Sequence, residues 1–447
     1  MSLELRNIGT EWLNNLPENW KKDRLKDVCE KIVGGGTPKS SVSEYWENGN
    51  IIWISPTDFS KQKNNKFISD SERKITQLGL QKSSATLIPK GTVIMSSRAS
   101  IGEAKIAECD VSTNQGFVSY IPSKKLDSTY LFYIINSHLG NYFSIIASGT
   151  TFMEISRRQA KLEYIPLPPI DNQMEIVNYL DKTCTNIDRT IELKENQIVE
   201  INDYFYSLIH EKVTKGLNQS IKLKSTNIEC IGDIPTHWDI AKIKQKYSVI
   251  PSSVNKKSKD TEQEVQLCNY TDVYYNDYIT NDIDFMIATA KDNECEKFKL
   301  NIDDVIITKD SEDPSDIAVP ALVKEVQDNL LCGYHLSMIR GKIGNVSGRY
   351  LFWLLKDKAI VSQLHREATG ITRWAISQRN IKNTIIPNPP LEEQLKIADY
   401  LEKTADKVNK IKEKLQAQID TLKEYRKSLI HECVTGKKQI YKGSGGE

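Results

Sequence analysis

The chain is written twice, and nothing else about it constrains the fold as strongly. Ile165-Pro166-Leu167-Pro168-Pro169-Ile170-Asp171-Asn172-Gln173 returns 221 residues later as Ile386-Pro387-Asn388-Pro389-Pro390-Leu391-Glu392-Glu393-Gln394. The offset persists at Tyr179-Leu180 and Tyr400-Leu401, and at Lys182-Thr183 and Lys403-Thr404. It still holds at Ser207-Leu208-Ile209-His210-Glu211 and Ser428-Leu429-Ile430-His431-Glu432. Upstream, Leu16-Pro17-Glu18-Asn19-Trp20 matches Ile234-Pro235-Thr236-His237-Trp238 at an offset of 218. A sustained period of this kind is an internal repeat, and 447 residues leave room for a domain and a connecting segment in each copy.

Between the flanks the copies diverge. Tyr130-Leu131-Phe132-Tyr133 stands beside Tyr350-Leu351-Phe352-Trp353, and Ile155-Ser156 beside Ile376-Ser377, but the stretch from Gly34 to Trp53 has no clear partner. Preserved segments do one job twice, whereas divergent blocks do different jobs.

The preserved segments predict long helices. Pro168-Pro169 and Pro389-Pro390 stop what precedes, and Asp171 and Glu392 place acid at a helix start. Apolar residues recur at spacings of 4 and 3 through Leu180, Cys184, Ile187, Ile191, Ile198, Ile201, Phe205 and Leu208, with Lys194 as a polar intrusion. The second copy reads Leu401, Val408, Ile411, Leu415, Ile419, Leu422, Tyr425 and Leu429, with a small stutter. Each run is roughly 60 Å long at ~1.5 Å per residue, and the matched stripes predict that the two helices pair as a spacer. The divergent blocks mix strand signals (Gly91 to Met95, Asp304 to Thr308) with short amphipathic helix signals (Tyr130 to His138, Tyr350 to Lys358). The expected class is therefore α/β or α+β: two globular blocks with two long paired coiled-coil helices, as an internal repeat. The divisions are 1–170, 171–215, 216–391 and 392–437, with a flexible tail over 438–447.

Composition excludes several functions. No apolar run approaches the ~18 residues of a membrane helix, and the eight cysteines form no CxxC, so a membrane role, a zinc ribbon and a disulfide framework are unsupported. The chain reads as soluble and cytoplasmic. A formal net charge of +1 argues against a polyanion binder driven by bulk charge, yet the copies differ. Residues 21–165 carry 20 Lys/Arg against 14 Asp/Glu, while 239–386 carry 20 against 21.

Catalytic signatures are missing. Gly34-Gly35-Gly36-Thr37-Pro38-Lys39 lacks the spacing of a Walker loop, and Pro38 spoils its register. Asn388-Pro389-Pro390-Leu391 lacks the aromatic fourth residue of the Asn-Pro-Pro-aromatic motif of amino-methyltransferases, and the other copy lacks the Asn. The six histidines show no metal-ligand spacing; His210 and His431 recur in the repeat, which favours a structural or partner-facing role.

The motif I-P-x-P-P-[IL]-x-x-Q heading a long helix that ends S-L-I-H-E-x-V-T, with the openings Leu16-Pro17-x-x-Trp20 and Ile234-Pro235-x-x-Trp238, resembles the specificity (S) subunit of Type I restriction-modification systems. Gly35-Gly36-Thr37-Pro38, Ser97-Arg98-Ala99-Ser100-Ile101-Gly102 and Thr113-Asn114-Gln115-Gly116-Phe117 resemble one class of target-recognition domain. The second block departs, with Lys309-Asp310 in place of Ser97-Arg98 and Cys332-Gly333-Tyr334-His335 in place of Ser112 to Gln115. The resemblance implies a non-catalytic DNA reader with two target-recognition domains separated by two long antiparallel coiled-coil helices, as an internal pseudo-two-fold repeat. It would scaffold two methylation (M) subunits and the restriction (R) subunits, with S-adenosylmethionine, ATP and magnesium belonging to those partners. Candidate readers of double-stranded DNA are the loop residues Thr37, Lys39, Ser97, Arg98, Ser100, Asn114, Gln115, Lys309 and His335. Arg157, Arg158, Arg373 and Arg379 suit phosphates. The alternative, a coiled-coil protein-interaction scaffold without DNA binding, gives no reason for two divergent blocks on matched flanks.

Overall fold

The computed structural model describes residues 13–62, 65–147, 153–342 and 346–440. It divides into two compact units: unit 1 is Met1–Lys194 with Ala417–Glu447, and unit 2 is Glu195–Gln416. The division therefore falls part-way along both long helices, Ile170–Lys215 and Leu391–Val434, and not at their starts.

Unit 1 contains β1 (Lys21–Arg24), β2 (Cys29–Gly34), β3 (Ile51–Ile54), β4 (Phe67–Ile68), β5 (Lys74–Ile75), β6 (Val93–Ser96), β7 (Ala104–Ala107), β8 (Ser112–Thr113), β9 (Phe117–Pro122) and β10 (Tyr164–Leu167). They form a five-stranded sheet in the order β2-β9-β6-β7-β4, a three-stranded sheet β5-β3-β8 and a pair β1-β10. The β6 strand is central and fully buried, as its Val-Ile-Met run requires.

Unit 2 opens with β11 (Leu223–Ser225) and β12 (Asp233–Pro235), followed by β13 (Asp239–Lys242), β14 (Tyr247–Pro251), β15 (Gln263–Cys268), β16 (Tyr278–Ile279), β17 (Met286–Ala290) and β18 (Val305–Thr308). It continues with β19 (Asp310–Ser311), β20 (Pro320–Val323), β21 (Leu330–Cys332), β22 (Leu336–Gly341), β23 (Trp374–Ala375) and β24 (Ile385–Asn388). Its sheets β14-β22-β18-β20-β16, β17-β15-β21 and β13-β24 repeat the plan of unit 1, and two further pairs, β11-β12 and β19-β23, are added to it. The blocks that share almost no sequence thus share a topology. Most pairings are antiparallel, so α+β is the accurate class.

The repeated motifs now have a physical reason. Gln173 is fully buried; its Nε2 donates to Pro168 O and Lys125 O, both at 2.9 Å, and its Oε1 accepts from Asp127 N at 2.9 Å. Gln394 does the same in unit 2, donating to Pro389 O at 2.8 Å and accepting from Ser347 N at 3.0 Å. Asp127 and Ser347 are themselves the N-caps of Ser128–Ile134 and Gly348–Lys356. The Pro-Pro turn and its Gln therefore tie the long helix to the first helix of its own block, and Asn388-Pro389-Pro390 is part of that turn.

The far end of each long helix serves the other copy's block. In unit 1, Tyr130 Oη donates to Val434 O at 3.2 Å, and a Cβ on Gly436 would lie 2.5 Å from Pro17. In unit 2, Tyr350 Oη donates to Val213 O at 2.8 Å, and Gly216 lies against the buried Trp238. Gly216 and Gly436 have φ of +75° and +74°, the left-handed conformation that ends a helix and favours glycine. The second helix stops at Val434, short of the expected 437. Residues 441–447 of the expected tail lie outside the described residues.

The helix Gly348–Lys356 buries seven of its nine residues, because it is packed on several sides. One further expectation needs correction. In the second long helix, Ile411 and Tyr425 are exposed, and the seam runs instead through Val408, Lys412, Leu415, Ile419, Leu422 and Arg426. That spacing of 4 and 3 has no stutter. Arg426 Nε meets Asp188 Oδ1 at 2.8 Å, and Lys194 donates to Gln418 Oε1 at 2.6 Å, so in unit 1 the helices run antiparallel. In unit 2, Lys212 lies over the Tyr400 ring at 6.0 Å, in the same sense.

The repeated histidine meets opposite surroundings. In unit 2, His210 Nδ1 is 2.7 Å from Oδ2 of the buried Asp357, a hydrogen bond that raises the imidazole above its usual range. In unit 1, His431 faces His138 with ring centroids 5.6 Å apart. Burial, then His431 and Lys437, push His138 down to about 4, and burial and Lys437 lower His431. The signs follow. A depressed folded-state value removes stability as pH falls from the ordinary imidazole range towards 4. A raised value gives His210 a stabilisation that is complete in acid and is lost as pH rises through its elevated value. Amide exchange at pH 5 against pH 7.5, corrected for intrinsic rates, is expected to increase over 128–147 and 428–435 while 205–213 and 348–364 stay protected. Equal loosening of both regions would contradict this.

Candidate nucleic-acid interface

Three loop motifs of unit 1 converge at one end of its five-stranded sheet, where β2 and β6 finish and β9 begins. Gly36 N donates to Thr113 O at 2.8 Å, Ser97 N to Gly116 O at 2.8 Å, and the Thr37 hydroxyl to Gln115 Oε1. A fourth segment joins them through Ile155 N, which donates to Ser97 O at 3.1 Å. The glycines are required by close approach: a Cβ on Gly35 would sit 1.9 Å from Asn114 O, and one on Gly36 would sit 2.3 Å from Ser84 Oγ.

Of the residues expected here, Thr37, Lys39, Arg98, Ser100, Gln115, Arg157 and Arg158 are exposed. Ser97 is 2% exposed and places the loop through its backbone, so its hydroxyl is not a surface group. Asn114 is half-buried and accepts from Gly116 N at 2.8 Å, shaping the turn that presents Gln115. Arg98 forms a cross-strand ion pair with Glu154 at 2.8 Å, with close to half of each side chain still exposed, so Glu154 orients the guanidinium without burying it. Arg157 lies beside Gly34, in the first turn of Arg157–Ala160 behind a Ser156–Gln159 capping box.

The support beneath this loop was not singled out in the sequence. Trp53 Nε1 donates to Gly36 O at 2.9 Å, and Trp46 Nε1 to Lys39 O at 3.1 Å. The two indoles meet edge to face at 5.0 Å, and the Arg73 guanidinium lies 3.6 Å over Trp46. The signal was two tryptophans within eight residues of each other, just beyond a glycine run.

Unit 2 builds the same cluster with different chemistry. Lys309 N donates to His335 O at 3.0 Å and Ile376 N to Lys309 O at 2.9 Å, reproducing the Ser97–Gly116 and Ile155–Ser97 bonds. Gly333 N donates to Cys268 O at 2.8 Å, as Asn114 N does to Ile54 O at 2.9 Å. These bonds correct the expected register by one residue: Cys332–His335 stands where Thr113–Gly116 does, because β22 and β9 fix the frame. Tyr334 is then the counterpart of Gln115, and His335 of Gly116.

At the position of Arg98 stands Asp310, a reversal of charge. Its carboxylate accepts from His335 Nδ1 at 2.6 Å and from Arg373 Nε at 2.9 Å, while Lys309 Nζ lies 3.3 Å away. Lys309, His335 and Arg373, expected as separate contacts, are thus one ionic cluster on a nearly buried carboxylate. Lys309 also lies 4.5 Å over the Tyr334 ring. Beside the cluster a groove of about 560 Å³ is lined by Tyr270, Tyr274, Tyr275, Ser311, Asp316 and Arg373. Arg379 is exposed on the helix Gln378–Asn383, apart from the cluster and at the repeat position of Arg158. Among the described residues, no group of His, Cys, Asp or Glu is arranged to hold a metal ion.

Comparison with known proteins agrees with the doubled plan. A family model for the Type I restriction modification DNA specificity domain matches twice, over residues 17–203 and 238–421. The chain is 28% identical over 441 residues to the Type I restriction enzyme MjaIX specificity subunit of Methanocaldococcus jannaschii, covering 96% of this chain and 95% of that one. It is 31% identical over 189 residues to the EcoR124I/EcoR124II specificity subunit of Escherichia coli, covering 40% and 46%. Among solved structures, a chain from a study of complex assembly and conformational transition of the type I R-M system aligns with a TM-score of 0.72 at 15% identity, over 95% of this chain and all of that one. The HsdS subunit of Thermoanaerobacter tengcongensis aligns at 0.55 and 16%, over 96% and 100%. These likenesses in structure concern the fold.

Proposed function

This chain belongs to the Type I restriction-modification DNA specificity family, and from that premise we propose that its two units read two unlike half-sites of one bipartite DNA site. The observation that carries the reading is a shared scaffold with inverted chemistry: equivalent backbone bonds at Ser97 and Lys309 present Arg98 in unit 1 and Asp310 in unit 2. One plan with two different sets of side chains is what reading two different base sequences requires, because base edges specify and phosphates position. Thr37, Arg98, Ser100 and Gln115 face base edges in this reading, and Lys39, Arg157, Arg158 and Arg379 face phosphates. In unit 2 the Lys309–Asp310–His335–Arg373 cluster takes the reading role.

The preserved helices serve as the platform for the other subunits. Because the platform is present twice, it suits two copies of a methylation subunit, with restriction subunits joining through the complex. The chemistry then belongs to the partners, which hold S-adenosylmethionine, ATP and magnesium. The setting is the cytoplasm, where the DNA is; among the described residues no helix is long and apolar enough to cross a membrane.

Reconstitution tests the assignment. The purified chain is expected to bind no S-adenosylmethionine and to transfer no methyl group to DNA, and methylation is expected to appear when the methylation subunits are added. Methyl transfer by the chain alone would contradict the division of labour.

A further inference from the structure

The two units hold one turn with the same backbone bonds and place a different side chain at its tip. In unit 1, Asn114 N bonds Ile54 O at 2.9 Å and Ser97 N bonds Gly116 O at 2.8 Å, which leaves Gln115 exposed between them. In unit 2, Gly333 N bonds Cys268 O at 2.8 Å and Lys309 N bonds His335 O at 3.0 Å, and Tyr334 occupies the tip, 50% exposed. Resting on the reading that these loops meet DNA, we propose that the tip residue is the specificity-determining position of each unit, and that Gln115, oriented by Thr37, reads an adenine.

The loop around Gln115 is rigid before any ligand arrives. Two indole N–H groups hold the carbonyls of Gly36 and Lys39, and Gly36 N holds Thr113 O. Gly35 packs so closely on Asn114 that no side chain would fit between the two loops. Little freedom remains to be lost at this site on binding, which favours discrimination by one well-placed group. The Thr37 hydroxyl donates to Gln115 Oε1, so the carboxamide oxygen is turned towards Thr37 and both Nε2 hydrogens remain for a ligand.

Adenine presents an N7 acceptor and an N6 donor in the major groove, which a carboxamide meets with its nitrogen and the second lone pair of its oxygen. Guanine presents the acceptor O6 in place of the N6 donor, opposite the same oxygen. A carboxamide free to swing its oxygen clear could aim its amide nitrogen at both O6 and N7 and so accept guanine as well. Thr37 opposes that turn. Tyr334 has no carboxamide, and its ring carries the Lys309 ammonium at 4.5 Å and meets His335 edge-on at 4.9 Å. The second unit therefore makes a different contact at the equivalent place.

Sequencing methylated adenines in DNA modified by the full chain assembled with its methylation subunits tests this. Gln115→Ala is expected to relax one adenine of the first half-site to any base, with discrimination falling about 10- to 100-fold. Thr37→Val is expected to relax that same position to adenine or guanine. The second half-site, read in the same experiment, shows that the variant chain folds and assembles. A first half-site unchanged by Gln115→Ala, or relaxation at a position that is not adenine, overturns the proposal. So does loss of all methylation in Gln115→Ala while Thr37→Val keeps the original motif. If the unaltered chain yields no bipartite motif, the functional reading beneath the proposal fails, and that outcome needs no variant to detect it.

Discussion

Exchanging residues 21–154 for the corresponding block of a relative is expected to replace one half of the methylated motif and to leave the other half and the unread gap unaltered. The junctions are the reason. Residue 21 begins β1, which pairs with β10 in the preserved flank, so the incoming block re-forms the Lys21–Leu167 register from residues that are kept or equivalent. Ile155, at the other junction, needs only a backbone carbonyl at the position of Ser97, and unit 2 supplies the same bond from Lys309. The repeated motifs that seat the block on the long helices make matching bonds in the second copy: Tyr130 on Val434 and Tyr350 on Val213, Gln173 on Asp127 and Gln394 on Ser347. The loop cluster travels with the block, and with it Thr37, Arg98 and Gln115. Methylome sequencing of cells carrying the chimera reads both halves at once. A change in both halves would mean that the units do not read independently.

Gln173→Leu is expected to cost roughly 1–3 kcal/mol, because it orphans the buried Pro168 O and also removes the partner of the more exposed Lys125 O and Asp127 N, where water recovers most of the loss. Leucine replaces the volume but none of the bonds, so the loss is electrostatic and not a cavity effect. Loosening should be centred on the Asp127 cap and on the start of the first long helix. Gln394→Leu should do the same in unit 2 at Ser347. Amide exchange in the pair of variants is expected to loosen one unit each. A loss below about 1 kcal/mol in denaturant titration would mean that water replaces the amide, contrary to its complete burial.

How much of this was legible in the residues alone depends on what each residue does. The flanks could be read because their function is carried by side chains: a Gln that must make three bonds, a Tyr that must reach one carbonyl and a Trp that must fill one space allow no substitute. The shared topology of the blocks could not be read, because it is carried by backbone hydrogen bonds. Lys309 and Ser97 make the same two main-chain bonds with unrelated side chains, and an alignment of identities is blind to that. The one-residue slip at Cys332–His335 has the same origin, since only the strand frame distinguishes Gln115 from Gly116 as the counterpart of His335.

The helix seam went astray for a different reason. Apolar character favoured Ile411 and Tyr425, whereas heptad geometry selects Lys412 and Arg426, which can pack their aliphatic stems and, for Arg426, find Asp188. At the candidate interface, polarity and loop position were visible, but the pairing of charges was not. Lys309, His335 and Arg373 look like three separate contacts along the chain and turn out to share one carboxylate, because β19 and β23 bring residues 310 and 374–375 together.

The central claim is that one chain holds two different readers on a repeated frame. Sequencing methylated adenines in cells that express this chain with its methylation subunits tests it most directly. The account predicts a motif of two unlike half-sites separated by an unread gap of constant length. A palindrome of identical half-sites, or one uninterrupted recognition sequence, would contradict it.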